Sequence, residues 1–174
     1  MTHHPGSGPP CVVVFGVSGA GKSTVSRLLA GRLGLPFAEA DDFHPPGNIR
    51  KMTSGVPLDD RDRRSWLEAV GRWLGDREAD GSGGVMACSA LRRRYRDTLR
   101  SACPPVLFLH LTADRALLAE RLRGRTGHFM PEELLDSQLA TLEPLQPDER
   151  GATVNAAPVT EEVVRAAAEA VAAQ

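Results

Sequence analysis

Cysteine is scarce in this chain of 174 residues, and its spacing excludes two kinds of stabilised site. The three cysteines, Cys11, Cys88 and Cys103, are odd in number and form no C-x-x-C pair, so we expect neither a zinc site nor a disulfide framework. No run of about 18 apolar residues occurs, which argues against a membrane-spanning helix. Residues 1–10 lack the apolar core of a secretory signal, and we expect a disordered tail there. Together these features favour a reducing, cytoplasmic location.

Neither positive nor negative charge predominates in the chain. The chain has 21 basic and 22 acidic residues and a net charge of −1, which argues against a dedicated nucleic-acid binder, since such domains are usually strongly basic. Only two of the basic residues are lysines, Lys22 and Lys51. A chain that uses arginine so heavily is expected to keep lysine where a compact, flexible ammonium group is needed.

Apolar runs alternate with stretches of helical periodicity along most of the chain. The runs predict five strands, at residues 11–15, 36–40, 85–89, 106–111 and 153–154. The periodic stretches predict helices at residues 22–33, 59–77, 92–101, 114–123, 131–142 and 162–173, with a loop at residues 41–58. This alternation predicts an α/β fold in three layers, a five-stranded parallel sheet flanked by helices. The length fits one domain, which we place at residues 11–174.

A phosphate-binding loop follows the first predicted strand. Residues 16–23 (GVSGAGKS) match the pattern G-x-x-x-x-G-K-[ST] at every fixed position. Its glycines allow backbone N–H groups to turn inward, and these groups form an anion cradle with the N-terminus of the following helix. Lys22 is expected to reach the β- and γ-phosphates, and Ser23 to bind Mg²⁺. The nucleotide-binding residues predicted here are Gly16, Val17, Ser18, Gly19, Ala20, Gly21, Lys22, Ser23 and Thr24.

The aspartate that usually completes such a magnesium site is missing from its usual place. It commonly ends a later buried strand, but neither residues 85–89 nor residues 106–111 end in one. Carboxylates are available instead at Glu39, Asp41 and Asp42, and the sequence leaves open which of them supports the metal. The N-K-x-D motif of guanine-specific hydrolases is absent as well, because neither asparagine precedes a lysine. This absence disfavours a regulatory GTPase.

Residues 41–52 (DDFHPPGNIRKM) resemble the corresponding segment of gluconokinases of the short P-loop type. Further matches to that family are residues 55–58 (GVPL), 88–91 (CSAL), 95–97 (YRD), 127–130 (GHFM), 142–144 (LEP) and 148–149 (DE). Arg92 stands where the family commonly has lysine. The resemblance covers roughly residues 12–150. It implies the architecture shared by shikimate kinases and nucleoside-monophosphate kinases, with a core, a substrate-binding segment and a mobile lid.

The resemblance implies ATP-dependent phosphorylation of D-gluconate at its 6-hydroxyl, with Mg²⁺ as a cofactor. Gluconate carries a carboxylate and several hydroxyls, so it needs cationic or forked donors together with a hydrogen-bonding lining. The substrate-binding residues implied are Asp41, His44, Asn48, Lys51, Arg63, Arg96 and His128. Three of these keep a structural alternative: Arg63 as a charge in the first turn of a helix, Arg96 as a solvated surface residue, and His128 as a residue that packs within the lid.

Asp41 and Asp42 are adjacent carboxylates, and we expect them to have different roles. The family aligns Asp41 with the acid that contacts the acceptor, which makes it the expected base for the attacking hydroxyl. In an extended backbone the two side chains would point to opposite sides, so that only one faces the acceptor. Asp42 is then expected to brace the loop before His44.

Residues 120–125 (ERLRGR) resemble the E-R-L-x-x-R run of adenylate-type kinases and imply a lid at about residues 121–135. Arg121 and Arg125 are four positions apart, which places them on one face of a helix. By the resemblance, Arg121 stacks on adenine and Arg125 meets the phosphates as a catalytic residue, whereas Arg123 is solvated. Closure of the lid would exclude water and limit wasteful ATP hydrolysis.

Two other functions stay open from the sequence. The first is a kinase of another small metabolite such as shikimate, although shikimate kinases have three glycines where this chain has residues 88–90 (CSA). The second is a regulator that binds ATP without transferring phosphate, which Asp41 and the arginine-bearing lid disfavour. The resemblance also implies a small-molecule partner and, by analogy with the family, a homodimer. The charge balance and the lack of a long apolar run argue against a nucleic acid or a membrane as partner.

Overall fold

Five parallel strands form one sheet in the computed structural model, which describes residues 8–125 and 132–174. In chain order the strands are β1 (Cys11–Phe15), β2 (Phe37–Glu39), β3 (Gly84–Ala87), β4 (Leu107–Thr112) and β5 (Gly151–Asn155). Their order across the sheet is β2-β3-β1-β4-β5. The strand β1 therefore lies at the centre, where it pairs with β3 on one side and β4 on the other. The predicted five-stranded parallel sheet is confirmed.

Helices flank this sheet in the described part of the chain. They are α1 (Lys22–Leu33), α2 (Pro46–Thr53), α3 (Asp60–Ala79), α4 (Arg93–Ala102), α5 (Arg115–Arg123), α6 (Glu132–Thr141) and α7 (Thr160–Ala172). The helix α1 starts where the phosphate loop ends. It stops at Gly34, whose left-handed backbone (φ 67°) lets its N–H return to carbonyls of the last turn. Both ends of α1 lie where the sequence predicts them.

The two faces of β1 belong to separate apolar cores. Val12 and Val14 pack into a core that α1, α5 and α7 cover, whereas Val13 and Phe15 pack into one that α3 and α4 cover. Because helices cover both faces, every residue of β1 is buried. This burial explains why β1 is a continuous apolar run rather than an alternating one. The arrangement is the three-layer sandwich that the sequence predicts.

The segment predicted as a loop, residues 41–58, is partly helical. A 3₁₀ turn spans Ala40–Phe43, and α2 follows it. Pro46 stands at the start of α2, where a missing N–H costs nothing. The buried Asn48 side chain then ties α2 to α3, since its Nδ2 donates to the Asp62 carbonyl at 2.9 Å. The helix depends on this tertiary contact, which local periodicity does not reveal.

All three cysteines are buried and unpaired, so no disulfide joins them. Within residues 8–125 and 132–174, no helix is both long enough and apolar enough to cross a membrane.

The carboxyl ends of the parallel strands meet at one edge of the sheet, where ligands bind in folds of this class. The phosphate loop leaves β1 at that edge, Asp41 and Asp42 follow β2, and residues 88–91 follow β3. The fold thereby assembles segments that lie far apart in the sequence.

Candidate active site

The backbone of the phosphate loop requires its glycines. Gly19 and Gly21 have φ angles of 89° and 90°, which lie in the left-handed region that side chains disfavour. A Cβ atom on Gly19 would also lie 3.0 Å from the Leu118 carbonyl oxygen of α5. No side chain caps the N-terminus of α1. The N–H groups of its first turn can therefore bind an anion.

The Lys22 side chain lies within this loop, where Nζ donates to the Val17 carbonyl at 3.1 Å. Desolvation in this position lowers the pKa of Lys22 to about 8, and the negative charge of Asp41 opposes the shift. A phosphate group in the loop would add negative charge and raise the same pKa. The loop is therefore adapted to an anionic ligand.

The Ser23 hydroxyl contacts the Glu39 carboxylate at the end of β2. It donates to Oε1 and lies 2.9 Å from Oε2. Mg²⁺ in nucleotide sites binds through one or two protein oxygens together with phosphates and water. The hydroxyl and the carboxylate fit this requirement, which favours Glu39 over Asp41 and Asp42 as support for the metal.

A cavity of about 220 Å³ lies beside the phosphate loop, and we call it the loop cavity. Arg121 and Arg125 both line it, and Nη2 of Arg121 donates to the Ala156 carbonyl at 2.7 Å. The helix α5 ends at Arg123, so Arg125 reaches the cavity from beyond the helix. The shared helical face predicted for the two arginines is therefore wrong, although both line the same cavity. The other lining residues that were predicted are Gly19, Ala20, Gly21 and Thr24.

Asp41 and Asp42 lie in the 3₁₀ turn, and the extended backbone expected for them is wrong. With three residues per turn, neighbouring side chains point about 120° apart rather than to opposite sides. The charge of Asp41 opposes the lowering of the pKa at both Lys22 and His44. Asp41 therefore lies within electrostatic reach of the phosphate loop and of the predicted substrate-binding segment.

Three predicted substrate-binding side chains gather against the start of α3. The His44 ring stacks on Trp66, with centroids 4.6 Å apart and an angle of 13° between the rings. Nδ2 of Asn48 lies 3.3 Å from Nδ1 of His44. The Lys51 ammonium donates to the Asp62 carboxylate at 2.6 Å. The buried Asn48 thus holds the segment together, whereas His44 and Lys51 stay partly exposed to a ligand.

A second cavity, of about 300 Å³, lies among α3, α4, α6 and the turn after β3, and we call it the α3–α6 cavity. Its lining residues include two arginines, two residues with hydroxyls and an amide, namely Arg63, Arg92, Tyr95, Ser89 and Gln138. Nη1 of Arg63 lies 3.4 Å from the Tyr95 hydroxyl. Cations beside neutral hydrogen-bonding groups suit a small anion that also carries hydroxyls.

Arg96 is buried away from this cavity, and its predicted contact with substrate is wrong. The side chain is fully buried, and its Nε and Nη2 atoms donate to the Glu149 carboxylate at 2.7 and 3.0 Å. The other bonds of the guanidinium go to the carbonyls of Ala90, Leu91 and Pro144. With each guanidinium nitrogen bonded to protein, Arg96 joins α4 to the turn after β3 and to the segment before β5. Its surface alternative is wrong as well.

The predicted lid is described only in part. His128 and the rest of residues 126–131 lie outside the described residues. In the described part of the predicted lid, Arg121 lies on α5 and Leu135 of α6 is completely buried.

Several polar residues of the site were not predicted from the sequence, among them Ser89, Arg92, Tyr95 and Gln138. The Y-R-D match contains Tyr95, so its hydroxyl could have been proposed from the family resemblance. Gln138 has no local signal, because its Oε1 accepts the N–H of Ser18 at 2.8 Å across 120 positions of the chain.

The phosphate loop follows the central strand of a five-stranded parallel sheet of this order, and a second cavity lies nearby. This arrangement defines a P-loop kinase of small molecules. A family model described as an AAA domain matches residues 11–145. A gluconokinase of Gluconobacter oxydans (strain 621H) is 50% identical over 146 residues, which cover 82% of each chain. The chain belongs to the gluconokinase family.

Solved structures agree with this assignment. The crystal structure of a gluconokinase from Sinorhizobium meliloti 1021 aligns with a TM-score of 0.85 at 46% identity, over 95% of this chain and 93% of that one. A shikimate kinase from Aquifex aeolicus vf5 aligns with a TM-score of 0.62 at 15% identity, over 93% and 96% of the two chains. The second alignment shows the shared fold alone.

Proposed function

We propose that the chain transfers the γ-phosphoryl group of ATP to the 6-hydroxyl of D-gluconate, giving 6-phospho-D-gluconate and ADP. The observations that carry this proposal are the Lys22 side chain inside the phosphate loop and the position of Asp41 directly after β2, at the same edge of the sheet. One acid thereby serves the phosphate loop and the segment that resembles gluconokinases. The identity to gluconokinases over most of the chain supports gluconate as the acceptor.

The protein's own groups bind and orient the acceptor in this proposal. Arg63, with Arg92 beside it, offers a guanidinium fork to the gluconate carboxylate. The Tyr95 and Ser89 hydroxyls bind hydroxyls of the sugar acid. Asp41 accepts the proton of the 6-hydroxyl as the new oxygen–phosphorus bond forms and the bond to ADP breaks.

Cations around the phosphate loop stabilise charge on the group in transfer. Lys22 and Arg125 supply two of them, and N–H groups of the loop hold the phosphates. Arg121 stacks on the adenine ring. Ser23 and Glu39 would hold Mg²⁺, which would neutralise phosphate charge when bound.

An ADP-release assay with several acceptors tests this function. D-gluconate should stimulate ADP release far above the acceptor-free rate, and mass spectrometry should identify 6-phosphogluconate as the product. Stronger stimulation by shikimate or AMP would overturn the choice of acceptor. Nucleotide binding without turnover on any acceptor would point to a regulator instead.

We also propose that the enzyme acts in the cytoplasm, as its cysteine usage favours, and that it forms a homodimer by analogy with the family. Light scattering on the purified chain measures its assembly directly. A mass near 18.7 kDa, that of one chain, would contradict the dimer.

A further inference from the structure

Gln138 of α6 contacts both parts of the site. Its Oε1 accepts the backbone N–H of Ser18 in the phosphate loop at 2.8 Å. The same residue lines the α3–α6 cavity, together with Arg63 and Tyr95. Gln138 therefore contacts the loop that binds phosphate and lines the cavity assigned to the acceptor.

The helix α6 has other contacts that hold it in place. Leu135 is fully buried in the core with α1 and α5. Asp136 pairs with Arg115 of α5, with 2.6 Å between the carboxylate oxygen and Nε. Attachment of α6 therefore does not require the hydrogen bond to Ser18, and the bond calls for another explanation.

The N–H of Ser18 belongs to the loop whose backbone N–H groups bind phosphate. A side-chain amide is a neutral acceptor, whereas a phosphate oxygen is charged and binds the same donor roughly twice as strongly. A bound triphosphate is therefore expected to displace Oε1 of Gln138 from Ser18. The released amide keeps two N–H donors and one acceptor oxygen, all beside the α3–α6 cavity.

We propose that Gln138 is a positioning residue that couples phosphate binding at Ser18 to acceptor binding in the α3–α6 cavity. Without nucleotide, the amide holds the Ser18 N–H. Once phosphate takes that donor, the amide turns to the hydroxyls of the acceptor. Nucleotide thereby raises the affinity for the acceptor, and the acceptor raises the affinity for nucleotide by the same factor. The acceptor half of this proposal rests on the proposed function.

Amide hydrogen exchange at Ser18, followed by NMR, tests the contact with the loop. Gln138→Leu should speed exchange at Ser18 in the nucleotide-free protein. With a non-hydrolysable ATP analogue bound, the variant and the wild type should exchange alike. Gln174→Leu makes the same chemical change at the exposed C-terminus and should alter neither rate. Unchanged exchange at Ser18 in nucleotide-free Gln138→Leu would overturn the proposal.

Calorimetric titration of the analogue, with and without D-gluconate, tests the coupling. In the wild type, gluconate should lower the Kd of the analogue by about five-fold or more. In Gln138→Leu this factor should fall to near one, while the Kd of the analogue alone is no weaker. Gln138→Glu should weaken the analogue, because a carboxylate both binds Ser18 more strongly and repels phosphate. Parallel weakening of both ligands with a lower Tm in Gln138→Leu would show a purely structural role.

The outcomes separate this inference from the proposed function. A wild type without gluconate-dependent turnover refutes the acceptor and, with it, the acceptor half of the coupling. The rate of amide hydrogen exchange at Ser18 and the Kd of Gln138→Glu for the ATP analogue still test the contact between Gln138 and the phosphate loop. Normal turnover in the wild type together with full coupling in Gln138→Leu refutes this inference alone.

Discussion

At the scale of single residues, Lys22 has a charge that depends on what the loop holds. Desolvation lowers its pKa to about 8 in the ligand-free protein, so the neutral amine predominates above that pH. If ATP binding needs the ammonium, kcat/KM for ATP should fall about ten-fold per pH unit above pH 8. Bound phosphates raise the pKa, so kcat at saturating ATP should hold to higher pH. Initial rates at pH 6–10 measure kcat/KM for ATP and kcat at saturating ATP. Identical pH profiles for these two quantities would contradict this account.

Asp41 and Asp42 provide a matched pair for testing the base. Asp41→Asn is nearly isosteric, and it should lower kcat by ~10²–10⁴-fold because a positioned proton acceptor contributes on that scale. It should still bind ATP. Asp42→Asn makes the same change one position along the 3₁₀ turn and should lose much less turnover. Measurements of kcat, ATP affinity and Tm on both variants test the assignment, and an inactive Asp42→Asn beside a normal Asp41→Asn would reverse it.

At the scale of elements, α5 ends at Arg123, so Arg123 lies on the helix whereas Arg125 lies beyond it. Arg125 lines the loop cavity, and its charge acts on Lys22, so an anion placed there meets both cations. Arg123 is exposed on the last turn, where its Nε donates to the Ala119 carbonyl. Arg125→Ala should reduce kcat by about 10-fold or more, since it removes a cation facing the phosphates. Arg123→Ala should change kcat little, and equal losses in the two variants would refute this division.

Elements with a strong local signal could be predicted closely. The run CVVVF and the glycine at position 34 give β1 and α1 the bounds seen in the structure. The helix α2 could not be predicted, because Gly47 disfavours helix locally and the contact of Asn48 with α3 is not visible in the sequence. Tertiary contacts override propensity at such positions.

Prediction of the site from the sequence is limited in the same way, by contacts between residues far apart in the chain. The phosphate loop is recognisable because its chemistry needs contiguous residues. Arg96 and Gln138 could not be assigned, since their partners Glu149 and Ser18 lie 53 and 120 positions away. A charged residue in a run of arginines looks solvated until its distant partner is known.

At the scale of the whole molecule, the Arg96–Glu149 pair connects α4 with two otherwise separate segments. Arg96→Met would remove the main partner of the buried Glu149 carboxylate and leave Nη1 of Arg93 at 3.7 Å, at a cost of about 3–5 kcal/mol in the free energy of unfolding. The double variant Arg96→Met, Glu149→Met should be more stable than Arg96→Met, because it leaves no unpaired charge. Urea unfolding of the wild type, both single variants and the double variant measures these energies. A double variant less stable than either single variant would contradict the account.

The central position of β1 has a consequence for the synthesis of the chain. The ribosome makes β1 first among the strands, but its partners β3 and β4 follow only later. At about 5–20 residues per second, roughly 70 residues separate β1 from β3, a wait of several seconds or more. During that time an apolar, β-branched segment has no strand to pair with, which is the condition for aggregation. Pro9 and Pro10 directly precede β1, and prolines that flank such a segment hinder pairing between nascent chains.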